Sequence, residues 1–239
     1  MGNSPSNPNI TEIAHVKVIV TEPEGSPKGV TILLPGSSAP FAAVTVDMYS
    51  AISEALVKEG QIVIGYYQIN VLSGTSHDTF ARRAAGVVQS YLKDHPDLPT
   101  KYNVVGHSVG AKIALLLAAK VDPQNLNKVL ALDPVDDKPP QFTNGLGDNL
   151  SLKDRGDRTS IYLTWAAATP TGTFGISPAR NALAVYERNK DHIAEFLRQE
   201  NASHFAYTDT GTGPLINGGT PEGNKAAREE VLELIRQKI

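Results

Sequence analysis

The sequence contains no cysteine among its 239 residues, which excludes disulfides, thiolate metal sites and cysteine nucleophiles. It also lacks a strong charge imbalance: 22 Lys and Arg against 25 Asp and Glu give a net charge of −3. No bulk basic field therefore supports general binding of nucleic acid. Long apolar runs are missing as well, because the longest, Ile113–Ala119, is far shorter than the ~18 residues of a membrane span. We expect neither a nucleic-acid partner nor an integral membrane segment.

The first nine residues are polar and contain no apolar stretch typical of a signal peptide. We expect residues 1–12 to form a flexible tail. The absence of such a stretch favours a cytoplasmic or organellar location over secretion, without identifying the compartment. Met1-Gly2 followed by Ser6 fits the loose pattern for N-myristoylation, but an unmodified tail is the simpler interpretation.

Segments with strand composition alternate with segments of helical spacing along the rest of the chain. This alternation predicts one α/β domain over residues 13–239, with a mostly parallel sheet covered by helices on both faces. The predicted strands are His15–Thr21, Val30–Leu34, Gln61–Tyr66, Tyr102–Val105, Val129–Leu132, Ser160–Trp165 and Ala194–Arg198. The predicted helices are Met48–Gly60, Thr79–Lys93, Val109–Lys120, Ala179–Asn189 and Glu222–Lys238.

One stretch, Pro134–Arg158, is rich in Pro, Gly, Asp and Asn and interrupts the alternation. It is too long for an ordinary connection between a strand and its neighbour. We interpret it as an insertion over one end of the sheet, which could act as a cap or form a solvated loop without a role.

The central motif is Gly106-His107-Ser108-Val109-Gly110, which matches the nucleophile-elbow pattern G-x-S-x-G. A serine on a sharp strand-to-helix turn needs small neighbours two residues before and after it, because side chains there would meet the strand and helix backbones. A buried strand precedes the motif and an Ala/Leu-rich helix follows, as this turn requires. Ser108 is therefore the predicted nucleophile, and His107, which should point away from its reacting face, is interpreted as a packing residue.

A serine nucleophile needs a base, and in this kind of site the base comes last in the chain, after the acid. Two histidines follow the motif, His192 and His204. His204 comes after the predicted strand Ala194–Arg198 and is the predicted base, whereas His192 precedes that strand and would face the wrong end of the sheet. The alternative is that His204–Asp209 is itself the last strand, which would carry His204 away from the site.

The acid is expected at the end of a strand, but no carboxylate follows Ser160–Trp165. One strand earlier, Val129–Leu132 is followed directly by Asp133. From there a carboxylate can reach the histidine, orient its imidazole and stabilise the charged form. Asp133 is the predicted acid and Asp136 the second choice, and the competing interpretation is that Asp133 caps the following loop.

Two backbone N–H groups are expected to stabilise the oxyanion that forms when the serine attacks. Val109 begins the helix after the nucleophile, where free donors and the helix dipole favour negative charge. Pro35-Gly36-Ser37 follows an early buried strand, and its Gly allows a tight bend that would turn the Ser37 N–H toward Ser108. An ordinary Pro-Gly turn is the alternative at this position.

These residues resemble the α/β-hydrolase superfamily from about residue 13 to the end of the chain. Gly106-His-Ser-Val-Gly-Ala-Lys112, with Asp133-Pro-Val135 one strand later, is similar to the chlorophyllase-like family. That family pairs an elbow G-H-S-x-G-G-K with a D-P-V segment, and Tyr49-Ser-x-Ile52 with Gly60-Gln-Ile-Val63 is similar too. The resemblance implies an α/β-hydrolase fold and a serine esterase that works without a cofactor.

A second resemblance is to the polyester-hydrolase and cutinase-like esterases. It rests on Pro35-Gly36-Ser37 at the oxyanion turn and on Asn201-Ala-Ser-His204-Phe205 around the base. Ser37 stands where those esterases carry an aromatic residue, and Ala111 replaces the second elbow glycine of the chlorophyllase-like pattern.

The sequence thus predicts a serine hydrolase that cleaves carboxylic esters of a small-molecule or lipid-like substrate. Ser108, His204 and Asp133 form the predicted triad, the N–H groups of Val109 and Ser37 bind the oxyanion, and no metal or organic cofactor is expected. An acyltransferase or a thioesterase would use the same serine. A non-catalytic binding protein with the same fold is the rival from another class, motivated by the missing carboxylate after the predicted strand Ser160–Trp165 and by the two possible placements of His204.

Overall fold

The computed structural model describes residues 10–37, 44–70, 73–135, 152, 160–169, 178–209 and 218–239. An eight-stranded sheet in the order β1-β2-β4-β3-β5-β6-β7-β8 runs through this part of the chain. The strands are β1 Ile10–Ile13, β2 Val16–Thr21, β3 Gly29–Leu34, β4 Gln61–Tyr66, β5 Tyr102–His107, β6 Leu126–Leu132, β7 Ser160–Ala166 and β8 Glu195–Gln199. The helices are α1 Ser50–Lys58, α2 His77–Asp94, α3 Val109–Lys120, α4 Pro178–Asn189 and α5 Pro221–Lys238. Single 3₁₀ turns lie at Val46–Tyr49, Pro123–Asn125, Lys190–His192 and His204–Tyr207.

The sheet is parallel from β4 to β8 and antiparallel only where β2 pairs with β1 and with β4. Every residue of β3, β4 and β5 is buried, which explains why these strands are nearly continuous apolar runs. The mostly parallel sheet expected from the sequence is therefore confirmed.

Helices cover both faces of the sheet, because alternate residues of each strand point to opposite sides. Helices α2, α3 and α4 enclose one core with residues such as Ile32 and Val104, and α1 and α5 enclose the other with residues such as Leu33 and Val105. No helix in the described ranges is both long enough and apolar enough to cross a membrane.

The sheet begins earlier than the sequence suggested. Residues 10–12 fall in the expected flexible tail, but Ile10–Ile13 pairs with β2 as a hairpin whose two-residue loop is Ala14-His15. Both loop residues have positive φ, 49° and 62°, the backbone geometry that matches the twist of a tight hairpin. Neither residue is the Asn or Gly that usually marks such a loop, so the hairpin had no sequence signal.

The predicted insertion Pro134–Arg158 lies outside the described residues except for Pro134, Val135 and Leu152. Leu152 is fully buried in the core beside α4, and its N–H donates to the Asn189 side-chain oxygen at 3.2 Å. The alternative acid Asp136 also lies outside the described residues.

Candidate active site

Ser108 stands between β5 and α3 with φ 58° and ψ −124°, a conformation that costs free energy and persists only where its surroundings enforce it. The two elbow glycines let this turn form. A Cβ on Gly106 would lie 2.3 Å from the Gly110 carbonyl oxygen, and one on Gly110 would lie 2.2 Å from the Leu34 carbonyl oxygen. Both distances are shorter than any real Cβ contact, so strand, turn and helix can pack this closely only with glycine.

Asp133 follows β6 directly and is completely buried. Its backbone N–H donates to the Thr164 carbonyl and hydroxyl oxygens at 3.1 and 3.2 Å, and its Oδ1 accepts the Ala166 N–H at 3.2 Å. These contacts hold the residue at a φ of 44° and leave Oδ2 directed at His204. The carboxylate therefore lies across the end of β7, where the sequence itself has no acid.

His204 is the first residue of the 3₁₀ turn His204–Tyr207, and its Nδ1 lies 2.7 Å from Asp133 Oδ2. Its backbone is held on both sides, because its N–H donates to Thr169 Oγ1 at 2.7 Å and its carbonyl contacts His107 Nε2 at 2.8 Å. The described hydrogen bonds of His204 involve Nδ1 and the backbone, so a hydrogen bond from Ser108 Oγ to Nε2 stays a prediction. The alternative strand over His204–Asp209 is wrong, because His204–Tyr207 forms a helical turn.

Strand register brings these residues to one edge of the sheet. His107 and Leu132 are direct partners in the β5–β6 pair, so Ser108 and Asp133 follow at neighbouring strand ends. The Ser108 N–H donates to the Leu132 carbonyl at 3.0 Å, and the Ser108 carbonyl accepts the Val135 N–H at 3.1 Å. Ligands of open α/β sheets bind at this carboxyl edge.

The predicted oxyanion turn lies beside the nucleophile. A Cβ built on Gly36 would be 3.4 Å from Ser108 Cβ, because β3 and β5 are neighbours in the sheet. The Gly36 N–H donates to the Tyr49 hydroxyl at 2.9 Å, and Ser37 pairs with Ile69 in an isolated parallel bridge. Val109 begins α3, where N–H groups have no acceptor within the helix. Oxyanion binding by Ser37 and Val109 stays a prediction.

Two residues beneath the site were not anticipated as functional. His107 is buried and makes hydrogen bonds through both ring nitrogens, to the Tyr49 hydroxyl and to the His204 carbonyl, so it is more than the packing residue that the sequence indicated. Burial, followed by the nearby His204, lowers the pKa of His107 well below its usual value. Burial likewise raises the pKa of Tyr49. For His107, the sequence signal was a polar residue inside a strand that is fully buried. Tyr49 lies in a 3₁₀ turn and had no such signal.

The described residues contain no group of three or more His, Asp or Glu side chains that could hold a metal ion.

No protein-family model and no curated protein matches the sequence. Solved structures do match it. A protein of unknown function from Agrobacterium tumefaciens, described as a candidate α/β hydrolase, has a TM-score of 0.62 at 14% identity and covers 97% of this chain and 95% of its own. A candidate dienelactone hydrolase from Klebsiella pneumoniae has a TM-score of 0.65 at 16% identity and covers 93% of each chain. A candidate thioesterase from Silicibacter has a TM-score of 0.55 at 15% identity, covering 87% of this chain and 79% of its own.

The chain has the α/β-hydrolase fold. In this fold the nucleophile sits on a strand-to-helix turn, and the acid and the base follow it in the chain. Ser108, Asp133 and His204 occur in that order. The fold predicted from the sequence is thus confirmed.

Proposed function

We propose that this protein is a serine hydrolase that cleaves carboxylic esters through an acyl-enzyme. The observation that carries the proposal is the 2.7 Å contact between His204 Nδ1 and the fully buried Asp133, made at the sheet edge where Ser108 occupies a strained turn. A carboxylate bonded to Nδ1 keeps the proton on that nitrogen, so Nε2 remains an acceptor for the serine proton. A protein that only binds esters has no need of this arrangement.

In the first half of the reaction, Ser108 Oγ attacks the ester carbonyl carbon while His204 Nε2 takes the hydroxyl proton. The carbonyl π electrons move to oxygen, and the N–H groups of Val109 and Ser37 are proposed to stabilise the resulting oxyanion. The intermediate collapses, the bond to the alcohol oxygen breaks, and His204 donates its proton to the leaving alcohol. Asp133 stabilises the imidazolium that forms between the two steps.

In the second half, a water molecule attacks the acyl carbon of the acyl-enzyme and gives one proton to His204. The ester bond to Ser108 breaks, His204 returns the proton to Oγ, and the carboxylic acid leaves. Transfer of the acyl group to another alcohol would use the same steps with that alcohol in place of water.

The substrate class is the finer part of the proposal. The chlorophyllase-like and cutinase-like resemblances favour esters with a bulky or lipid-like group, whereas the similar Silicibacter structure is described as a candidate thioesterase. Oxygen esters and thioesters both pass through an acyl-serine, so they are arms of one experiment. Chlorophyll a, a soluble polyester oligomer and an acyl thioester should be compared at equal concentration.

The direct test is turnover of p-nitrophenyl esters of increasing acyl length, with fluorophosphonate labelling of the serine. Ser108→Ala and His204→Ala should each abolish measurable turnover, and Asp133→Asn should lower kcat by about 10³–10⁴-fold. Ser203→Ala is the matched serine control, because this buried hydroxyl beside His204 has no hydrogen-bond partner among the described residues. His192→Ala, in the turn before β8, is the matched histidine control.

The outcomes separate the alternatives. Labelling of the wild type and of Ser203→Ala, but not of Ser108→Ala, supports the proposal. If Asp136→Asn lowered kcat by this amount and Asp133→Asn left kcat unchanged, Asp136 would be the acid in place of Asp133. A folded wild type that neither labels nor turns over any ester or thioester would favour the non-catalytic binding protein.

A further inference from the structure

Beneath the candidate site, the Gly36 N–H and the His107 ring, which are far apart in sequence, meet at the buried Tyr49 hydroxyl. The Tyr49 hydroxyl lies 2.9 Å from the Gly36 nitrogen and 2.8 Å from His107 Nδ1. The other ring nitrogen of His107, Nε2, lies 2.8 Å from the His204 carbonyl oxygen. Tyr49, His107 and His204 are each at most 3% exposed, so water does not compete for these bonds.

The proton positions in this chain follow from counting donors. The Gly36 N–H can only donate, so the Tyr49 oxygen accepts from it and uses its single hydrogen toward His107 Nδ1. Nδ1 must then be the unprotonated nitrogen, which leaves the proton on Nε2. That nitrogen donates to the His204 carbonyl, so every N–H, O–H and acceptor in this series of hydrogen bonds from Gly36 to His204 has a partner. Burial and the nearby His204 lower the pKa of His107, which agrees with a neutral ring. Protonation of Nδ1 would also leave the Tyr49 hydrogen without its acceptor.

We propose that Tyr49 and His107 are positioning residues that form a bridge between the Gly36 turn and the backbone of His204. The bridge spans the two parts of the site that must stay aligned with Ser108: the turn that carries the predicted oxyanion donor, and the base. This inference rests on the proposed function, since positioning has meaning only if Ser108 is acylated.

The surroundings explain why a hydrogen-bonded bridge is used here. The Gly36 turn lies beyond the end of β3, beside the single Ser37–Ile69 bridge, and His204 lies in a 3₁₀ turn after β8, so both segments are outside the continuous hydrogen-bond ladders of the sheet. Thr169 holds the N–H side of His204, and His107 holds the carbonyl side. Loss of the bridge would free one side of the base and one side of the turn. Displacements of about 1 Å at such positions can lower a rate by about 100-fold.

The test uses variants that keep the rings and remove the polar atoms. Tyr49→Phe and His107→Phe should each lower kcat by about 10- to 100-fold with little change in KM, because they shift reacting groups without removing substrate contacts. His107→Gln retains one acceptor and one donor and should recover part of the loss. The double variant Tyr49→Phe with His107→Phe should be no worse than the poorer single variant, since both break one bridge.

The matched control is Tyr91→Phe. Tyr91 is buried and its hydroxyl interacts with Glu22, but it lies near the end of α2, which leads into β5 at the opposite edge of the sheet. Its loss should leave kcat unchanged. Equal stability of Tyr49→Phe and Tyr91→Phe in urea, combined with unequal kcat, supports positioning over a general loss of packing.

A readout independent of activity is the imidazole ¹⁵N spectrum of the full chain. The wild type should show His107 as one neutral tautomer with its proton on Nε2, and Tyr49→Phe should shift the Nδ1 resonance. A proton on Nδ1, or mixed tautomers, overturns the bridge. If the wild type labels with fluorophosphonate but both Phe variants label at its rate, only the positioning role is overturned. If the wild type does not label, the proposed function fails, and the positioning role fails with it.

Discussion

A single methyl group added at Gly110 tests the elbow without changing any reacting atom. In Gly110→Ala the new Cβ would lie 2.2 Å from the Leu34 carbonyl oxygen and 2.4 Å from the Pro35 carbonyl oxygen. Both are backbone atoms at the end of β3, so no side chain can rotate away. Strand β3 and helix α3 must separate by about 1 Å to restore an ordinary contact of ~3.4 Å.

The cost can be compared with the gain. Inserting an extra carbon into a well-packed site usually costs 1–3 kcal/mol, and a clash with fixed backbone belongs at the upper end of that range. Replacing a helical glycine by alanine returns at most about 1 kcal/mol. We therefore expect Gly110→Ala to lower the free energy of unfolding by about 2–3 kcal/mol. It should also slow labelling of Ser108, because the displaced strand leads into the Gly36 turn.

Gly86→Ala is the matched control, since Gly86 lies inside α2 and an added Cβ there meets no atom within 4 Å. The same chemical change should raise stability by about 0.5–1 kcal/mol and leave labelling unchanged. Urea unfolding followed by circular dichroism measures both variants against the wild type. Equal urea midpoints for Gly110→Ala and wild type, or a loss of stability in Gly86→Ala, would refute the steric reasoning.

Other parts of the structure make separate predictions. Arg228 donates to the carbonyl groups of Ala206 and Thr208, which end the His204 turn, so Arg228→Met should cost about 1.5–3 kcal/mol in urea unfolding and lower kcat as well. Unchanged stability and kcat would contradict a role in holding that turn. Asp209 accepts the N–H of Ala51 at the start of α1, where a negative charge is favourable. Asp209→Asn should therefore lower the free energy of unfolding, measured by thermal denaturation, by about 0.3–1 kcal/mol. An unchanged free energy of unfolding would mean that the charge of Asp209 does not stabilise α1. Burial raises the pKa of Tyr49, so its contribution to stability is complete below the ordinary value of 10.0 and is lost as the pH rises above it, because unfolding then releases the proton. Between pH 10 and 11 the unfolded tyrosine goes from half to about nine-tenths ionised, so the wild type should lose about 1 kcal/mol through this group, and Tyr49→Phe should lack that loss. Equal slopes would mean that Tyr49 titrates normally.

The central strands were predictable because their signal is local. Strands β3 and β4 are six-residue runs that are buried on both faces, and their short length and content of Val and Ile distinguish them from the longer Ala/Leu-rich or charged helices around them. Weaker signals marked the edges. Strand β8 is only half buried, with charged residues at Glu195 and Arg198, and it forms because it pairs in register with β7. The first hairpin depends on two residues with positive φ, which sequence propensity does not indicate for Ala or His.

In the candidate site, the same distinction separates what was predictable from what was not. Gly106 must be glycine because of the Gly110 backbone four residues away, so the turn could be derived from the motif, although Gly110 itself packs against the distant Leu34 carbonyl of β3. The contact between Tyr49 and His107 joins residues 58 positions apart, and no pattern along the chain encodes it. A buried histidine in a strand therefore appeared to be packing until its partners were known.

The predicted acid shows how an absence can be informative. Strand β7 ends at Ala166 and two more alanines follow it, so this strand end offers no carboxylate to His204. Asp133 reaches across from β6, and the Ala166 N–H donates to its Oδ1. The backbone of β7 thus supports a carboxylate that its own side chains do not provide. The positive φ of Asp133 is the conformational cost of that reach. Asp133→Asn can keep the hydrogen bond from the Ala166 N–H through its side-chain oxygen. This variant therefore removes the negative charge beside His204 while the position of the side chain is retained.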